Sequence, residues 1–426
     1  MKRLKTLAVI GVLAAALVSA CGGQGSGGGS GTVHLVFRQF DPANEVKGLQ
    51  QVVDGWNKAH PDIQVDMQTL SPANSQQFAR EANSGSGPDI NLVGYADVAF
   101  LAKPKILMPI DDLMKKTPLG SSTDNLLATD MVTFDGKMWA LPWTADTFAL
   151  TYRPDALSRA GVTAPPATWE ELASDAKKVD SSSGGKTAGF CFAGAGSATS
   201  AQWFAINYYL WSHGATLIKK DASGKFQPGA TKQQLASAMD YFNGLFTSGA
   251  TPASYKAVSD YTDPSITGGL ANGGCAMSYE PPQTLRAIVG QAASGAVLTA
   301  PMPGGLKDGN THLGGRALAI NANTEHADAA WQFVKYLASP ATFKTYNQYP
   351  ASKSTLESLN VPKPEKGYVE QLPHAQSFAR YNGAAMTIAS IQQLVDQQFS
   401  AVYSGQRSSS DAAQALLDGL SAGLKG

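Results

Sequence analysis

The chain has 426 residues, with 33 Lys plus Arg against 33 Asp plus Glu and a hydrophobic share of 43%. Balanced charge, with no basic cluster or arginine-rich helix, excludes a nucleic-acid-binding footprint. The length exceeds what one hydrophobic core organises and predicts two lobes.

Met1 to Ala20 reads as a secretion signal: Lys2, Arg3 and Lys5 precede an apolar run from Leu7 to Val18 that is too short to span a bilayer comfortably. Its end, Val18-Ser19-Ala20-Cys21, fits a lipobox, in which cleavage leaves Cys21 to receive a diacylglycerol; an ordinary signal with a chance cysteine is the alternative. Residues 21–31 are nearly all Gly and Ser, the composition of a flexible tether. Two acyl chains give stable anchoring where one does not. The expected location is extracytoplasmic, with the body held by lipid to the outer face of the cell membrane. Losing the first twenty residues leaves three more acidic than basic groups, and no later apolar stretch reaches spanning length. Cys191 and Cys275 remain as an even pair in an oxidising compartment, where a disulfide and two separate buried thiols both fit.

Thr32 to Phe40 reads as the first strand, and Asp41-Pro42 as the start of a helix with Val46, Leu49, Val53 and Trp56 on one face. Ile63 to Leu70 is a strand, Gln76 to Asn83 a helix and Gly87 to Val93 a third strand; this alternation argues a parallel α/β sheet. Asp135-Gly136 marks a tight turn. Trp139 to Trp143 and Thr147 to Tyr152 read as strands, the first ended by Pro142. Thr168-Trp-Glu-Glu171 is a capping box, with Trp169, Leu172, Ala173, Ala176 and Val179 at helical spacing after it. Helices follow at 200–213, 232–247 and after Asp263-Pro264. Strands are expected near Cys191, at Cys275, at 296–301 and at 316–321. Helices at 325–338, 386–404 and 411–424 close the chain.

The Asp135-Gly136 turn, Leu141-Pro142, the strand ending at Tyr152, Pro165-Pro166 and Thr168-Trp-Glu-Glu-Leu172 together resemble the signature of family 1 extracellular solute-binding proteins, the sugar-capturing subunits of ATP-driven importers. Ser86-Gly-Pro-Asp-Ile90, Gly314-Gly-Arg-Ala-Leu-Ala-Ile320 and Ala329-Ala-Trp-Gln-Phe-Val334 extend the resemblance over nearly the whole chain after the leader. It implies an α/β, two-lobed periplasmic-binding-protein fold with discontinuous lobes, a hinge and an interlobe cleft. The N-terminal lobe is expected at 32–144 plus 299–338 and the C-terminal lobe at 145–298 plus 339–426. Crossings are placed near Trp143 to Thr147, Leu298 to Ala300 and Leu337 to Ser339. Cys191 and Cys275 fall in the same lobe. The implied partners are a carbohydrate, di- or oligosaccharide, and the permease subunits of an ABC importer. A monomer with no cofactor and no metal is expected.

Catalytic patterns fail. Gly419-Leu-Ser-Ala-Gly423 has the nucleophile-elbow spelling but lies at the chain's end, where no acid and His can follow. The six histidines are isolated, without metal-ligand spacing. Asp111-Asp112 and Glu170-Glu171 are adjacent and begin helices, whereas a glycosidase pair faces across a sugar.

A sugar needs paired donors and acceptors for its hydroxyls and aromatic rings for its C–H faces, and clefts in such folds lie beyond strand ends. Gln39, Phe40 and Asp41 follow the first strand, Asp41 serving equally as a helix cap. Tyr95 and Asp97 follow the third; Asp89 is left out as structural. The resemblance implies a ligand-facing Trp143 and a hydrogen-bonding Asp146 at the first crossing. It implies an aromatic from Gln202, Trp203 and Phe204, although Phe204, Tyr208 and Trp211 also make a core stripe. Tyr279 and Glu280 stand where the family has a stacking tryptophan, which this chain lacks. Gly314 and Gly315 permit close backbone approach, Arg316 could fork onto hydroxyls, and Arg380 could close one side. A phosphorylated polyol clamped by Arg316 and Arg380, or a secreted glycan hydrolase or lyase, are the other readings.

Overall fold

The computed structural model describes residues 31–41, 43–70, 75–120, 125–196, 201–304 and 311–425. Expectations for the leader, Cys21, most of the tether and the side chain of Gln202 lie outside them.

Local signals set many element ends. The Thr168 hydroxyl accepts from the Glu171 N–H while Glu171 accepts from Thr168, so the capping box opens helix Trp169–Ser183, with Trp169, Leu172, Ala176 and Val179 buried. Thr231 and Gln234 repeat the device at helix Lys232–Thr247, whose Leu235, Met239, Phe242 and Phe246 are buried as the spacing predicts. Asp263 caps helix Pro264–Asn272. The turn at Asp135-Gly136 has φ of 53° and 72° at its two residues and joins Thr133–Phe134 to Lys137–Met138.

The first lobe holds a five-stranded sheet in the order Ile63–Thr69, Val33–Gln39, Ile90–Gly94, Gly314–Ile320, Leu141–Asp146. Its first three strands are parallel; Gly314–Ile320 runs antiparallel to both its neighbours. The sheet is therefore mixed rather than parallel, because the chain re-enters this lobe from the other one. Helix Ala327–Leu337 packs Ala330, Phe333, Val334 and Leu337 against it. Asp89 is structural: it accepts from the Val36 N–H at 2.8 Å and from the Thr324 hydroxyl.

The second lobe holds four strands in the order Leu298–Ala300, Ala149–Tyr152, Cys275–Glu280, Ala188–Phe190. The last two are parallel neighbours, and Cys191 and Cys275 are joined across them by a disulfide with Cα atoms 6.3 Å apart. Of the two fates open to these cysteines, the bonded one is realised.

The crossings differ from expectation. Leu141–Asp146 is one strand, running through Pro142 to Asp146, so Ala145 and Asp146 sit in the first sheet. Pro142 is tolerated because this is the sheet's last strand and its register slips at Arg316/Ala317. Leu298–Ala300 pairs with Leu150, Thr151 and Tyr152, which puts Thr299 and Ala300 in the second lobe and the return crossing between Ala300 and Gly314. The segment after Leu337 stays on the first lobe for some twenty residues: Ala351 N–H donates to Trp143 O and Ala145 N–H to Tyr349 O, both at 2.8 Å. Only from about 363 does the chain pack on the second sheet, where the Thr299 hydroxyl donates to Pro364 O at 2.6 Å and Gly367 N–H to Thr299 Oγ1 at 3.1 Å.

Candidate ligand-binding site

Two crossings run side by side between the sheets. Thr147 and Thr311 bring their hydroxyl oxygens to 2.6 Å, and Thr311 also donates to Phe148 O. A third segment joins them, with Leu313 N–H donating to Gln376 O and Gln376 N–H to Thr311 O. Around this hinge lies an aromatic cluster. Phe148 packs on Phe204, Tyr261 and Tyr279 with ring centres at 4.7, 5.2 and 5.7 Å. His312 packs on Phe204 at 4.8 Å and Phe378 at 5.7 Å.

Two acids flank the rings. Asp146 keeps 32% of its side chain exposed and lies 3.9 Å from His312 Nε2. Burial raises its carboxyl above the usual range, and Arg316 opposes the rise. Glu280 is fully buried; Ser278 donates to its Oε1 at 2.8 Å, while Oε2 has no hydrogen-bond partner among the described residues. Burial pushes this carboxyl well above its ordinary value, Ser278 opposes, and the field of Asp260 adds to the rise. Burial, with the fields of Asp260, Glu280 and Asp146, lifts the hydroxyl of the partly exposed Tyr261 to about 12.

His312 is held by Tyr208, whose hydroxyl lies 2.6 Å from Nδ1, and burial lowers its pKa to about 3. An unfolded histidine takes a proton below about 6.5, and the folded one refuses it until about 3, so stability is lost as pH falls through that interval. Unfolding free energy is expected to be about 2 kcal/mol lower at pH 5 than at pH 7 from this residue. The raised carboxyls of Asp146 and Glu280 slope the other way, so urea titrations of the native chain and His312→Gln, compared at both pH values, isolate the histidine's contribution. Equal pH dependence in the two proteins contradicts it.

Most of the expected contacts are structural instead. Trp143 is 1% exposed, stacks on Tyr346 at 4.9 Å and donates to Leu337 O at 2.8 Å, so it faces the first lobe's interior rather than the cleft. Alternation along the strand then leaves Asp146, three residues on, as the one of the two that reaches the cleft. Tyr95 is buried and donates to Thr144 O at 2.7 Å. Trp203 is buried against Phe378 and Tyr381, and the neighbouring half-buried Phe204 supplies the cleft ring. Asp97 accepts from the Ser75 hydroxyl at 2.8 Å. Gln39, buried, donates to Thr69 Oγ1 and accepts from the Asp41 N–H. Asp41 is fully buried, 2.9 Å from Arg316 Nε, and accepts from the Tyr346 hydroxyl. Arg316 is thereby committed to the first lobe, over the Phe40 ring.

The two glycines serve the hinge. A Cβ on Gly314 would come 2.2 Å from Asp146 Oδ1, and one on Gly315, at φ 130°, would come 2.1 Å from Thr144 O. Arg380 is exposed and lies over Trp211 at 5.4 Å, outside the acid-flanked cluster. Tyr279 is buried with one edge on Phe148. Sequence reasoning passed over Phe148, Tyr261 and His312. His312 is two residues before the Gly314-Gly315 pair, which was signal enough, but a histidine weighed only as a metal ligand gives no reason to look there.

The family model for the bacterial extracellular solute-binding proteins matches residues 42–342. The chain belongs to this family. Among relatives of this solute-binding protein, the maltotriose-binding protein of Pyrococcus abyssi is 23% identical over 329 residues, 73% of this chain and 63% of that one. The diacetylchitobiose binding protein of Streptomyces coelicolor is 22% identical over 356 residues, 80% and 79% of the two chains. The fold is that of the sugar-binding protein MalE from Xanthomonas citri, with a TM-score of 0.77 at 19% identity over 92% of this chain and 98% of that one. It is likewise that of the GacH receptor of Streptomyces glaucescens, with a TM-score of 0.72 at 23% identity over 92% and 99%. The structural likenesses make the fold two-lobed, and the family match makes the chain an extracellular solute-binding protein.

Proposed function

We propose that the protein captures a carbohydrate, a di- or oligosaccharide, between its lobes and delivers it to the permease of an ABC importer. The observation that carries this reading is the hinge cluster, in which Phe148, Phe204 and Tyr261 supply ring faces and Asp146 and Glu280 supply acceptors, a pairing that matches the two kinds of surface a sugar presents. The sugar-binding relatives support it. Closure follows from contacts available only when both lobes touch the ligand, which shifts the population toward the closed state. Cys21 carries a diacylglycerol in this reading, and residues 21–31 tether the body outside the membrane.

The phosphorylated-polyol reading loses its clamp, because Arg316 is committed to Asp41 and Arg380 lies over Trp211. The decisive experiment is a thermal-shift panel of mono-, di- and oligosaccharides. A bound sugar at a hundred times its Kd adds about 2.7 kcal/mol and raises Tm; no shift with any glycan, or release of cleaved product, overturns the reading. For a sugar that shifts Tm, Tyr261→Ala is expected to weaken affinity about tenfold, the worth of one ring face at about 1.4 kcal/mol, with the fold intact. Native affinity in that variant by calorimetry removes Tyr261 from the site. The anchor is tested by mass spectrometry of the mature N-terminus and by Cys21→Ser, which is expected to release the protein from the membrane fraction.

A further inference from the structure

The cleft's charge is one-sided. Asp146 lies at the crossing, 3.9 Å from His312 Nε2, and Glu280 lies in the second sheet opposite Ala149, the residue after Phe148. Asp260, which accepts from the Thr262 N–H and hydroxyl at 2.8 Å, adds a third acid near Glu280 and Tyr261. The cation acting on Asp146 is Arg316, and Asp41 already holds that guanidinium. Closing the lobes on a neutral solute would strip the water from Asp146 and bring no cation to its charge, which disfavours closure. Glu280 Oε2 is a buried acceptor that no described group meets. Ring faces such as those of Phe148 and Tyr261 carry negative charge at their centres and attract cations.

We infer that the solute is cationic: an amino-bearing sugar whose ammonium group settles between Asp146 and Glu280, against the Phe148 and Tyr261 rings. The inference rests on the carbohydrate reading and names the chemical class within it. One ammonium supplies three donors, enough for both carboxyls; its charge offsets that of Asp146 as closure buries it, and it gives the already buried Glu280 Oε2 a donor. An anionic solute is disfavoured by the same geometry.

The test uses matched pairs differing only in amine against hydroxyl: glucosamine and glucose, galactosamine and galactose, and chitosan oligomers and cello-oligomers, each titrated by calorimetry at pH 7. The amine member is expected to bind at least tenfold tighter than its hydroxyl twin. Asp146→Asn and Glu280→Gln, which keep shape and remove charge, are each expected to shrink that preference several-fold; Asp146 is partly exposed, so its variant remains informative if the buried one folds poorly. Equal or tighter binding of the hydroxyl twins overturns the charge assignment while leaving carbohydrate capture intact. So does an undiminished preference in both variants. Binding of neither member of any pair overturns the inference, and the carbohydrate reading then stands or falls on the thermal-shift panel.

Discussion

Asp41→Asn is expected to cost about 3–5 kcal/mol of folding stability, because it removes one member of a buried ion pair and keeps the other. Asp41 has no exposure, Arg316 keeps only 12% of its side chain exposed, and the Tyr346 hydroxyl bonds the second carboxylate oxygen. The carboxylate thus ties three distant parts of the first lobe: the end of its first strand, the strand Gly314–Ile320 and the segment after helix Ala327–Leu337. Urea unfolding measures the loss. An Asp41→Leu, Arg316→Met double variant is expected to recover much of it, since two apolar residues leave no charge unmatched. A loss in Asp41→Asn below about 1 kcal/mol would show the pair to be no more than a surface contact. The same variants separate this residue from ligand binding, for a sugar contact would lower affinity without lowering the urea midpoint.

The disulfide is expected to matter as much. Cys191 and Cys275 are 84 residues apart in sequence, and closing a loop of that length removes about 4.5 kcal/mol of unfolded-chain entropy in the loop-closure model. Measured losses are typically 2–4 kcal/mol, so a Cys191→Ala, Cys275→Ala variant is expected to unfold at clearly lower urea with the same native far-ultraviolet spectrum. Both cysteines are buried between strands that already pair, so reducing agent alone should do little to the folded protein. An unchanged urea midpoint in the double variant would contradict the model.

What the sequence made legible was local. Thr168, Thr231 and Asp263 announce helix starts because their side chains satisfy backbone donors a few residues away, and that chemistry needs no tertiary partner. The family's motifs carried the two-lobed fold. The site was less readable, since which of Trp143 and Asp146 meets the cleft depends on strand facing, and a proline inside the strand hid where it ended. Trp203 and Phe204 exchanged places for the analogous reason on a helix, where one position turns a side chain by about 100°. The late third crossing had no sequence mark, because residues 342–356 are held on the first lobe by backbone bonds to Trp143 and Ala145 that any side chain would permit.

The position of Gly314–Ile320 in the first sheet has a consequence for how the chain comes to be folded. It lies between Ile90–Gly94 and Leu141–Asp146, so a growing chain that has released its first three hundred residues still has a gap in the middle of that sheet. The lobe cannot condense from its own N-terminal half. Contacts this distant in sequence also form slowly. A polypeptide destined for the far side of a membrane must be threaded across it unfolded, and here strand order alone postpones the first lobe's completion until three quarters of the chain has been made.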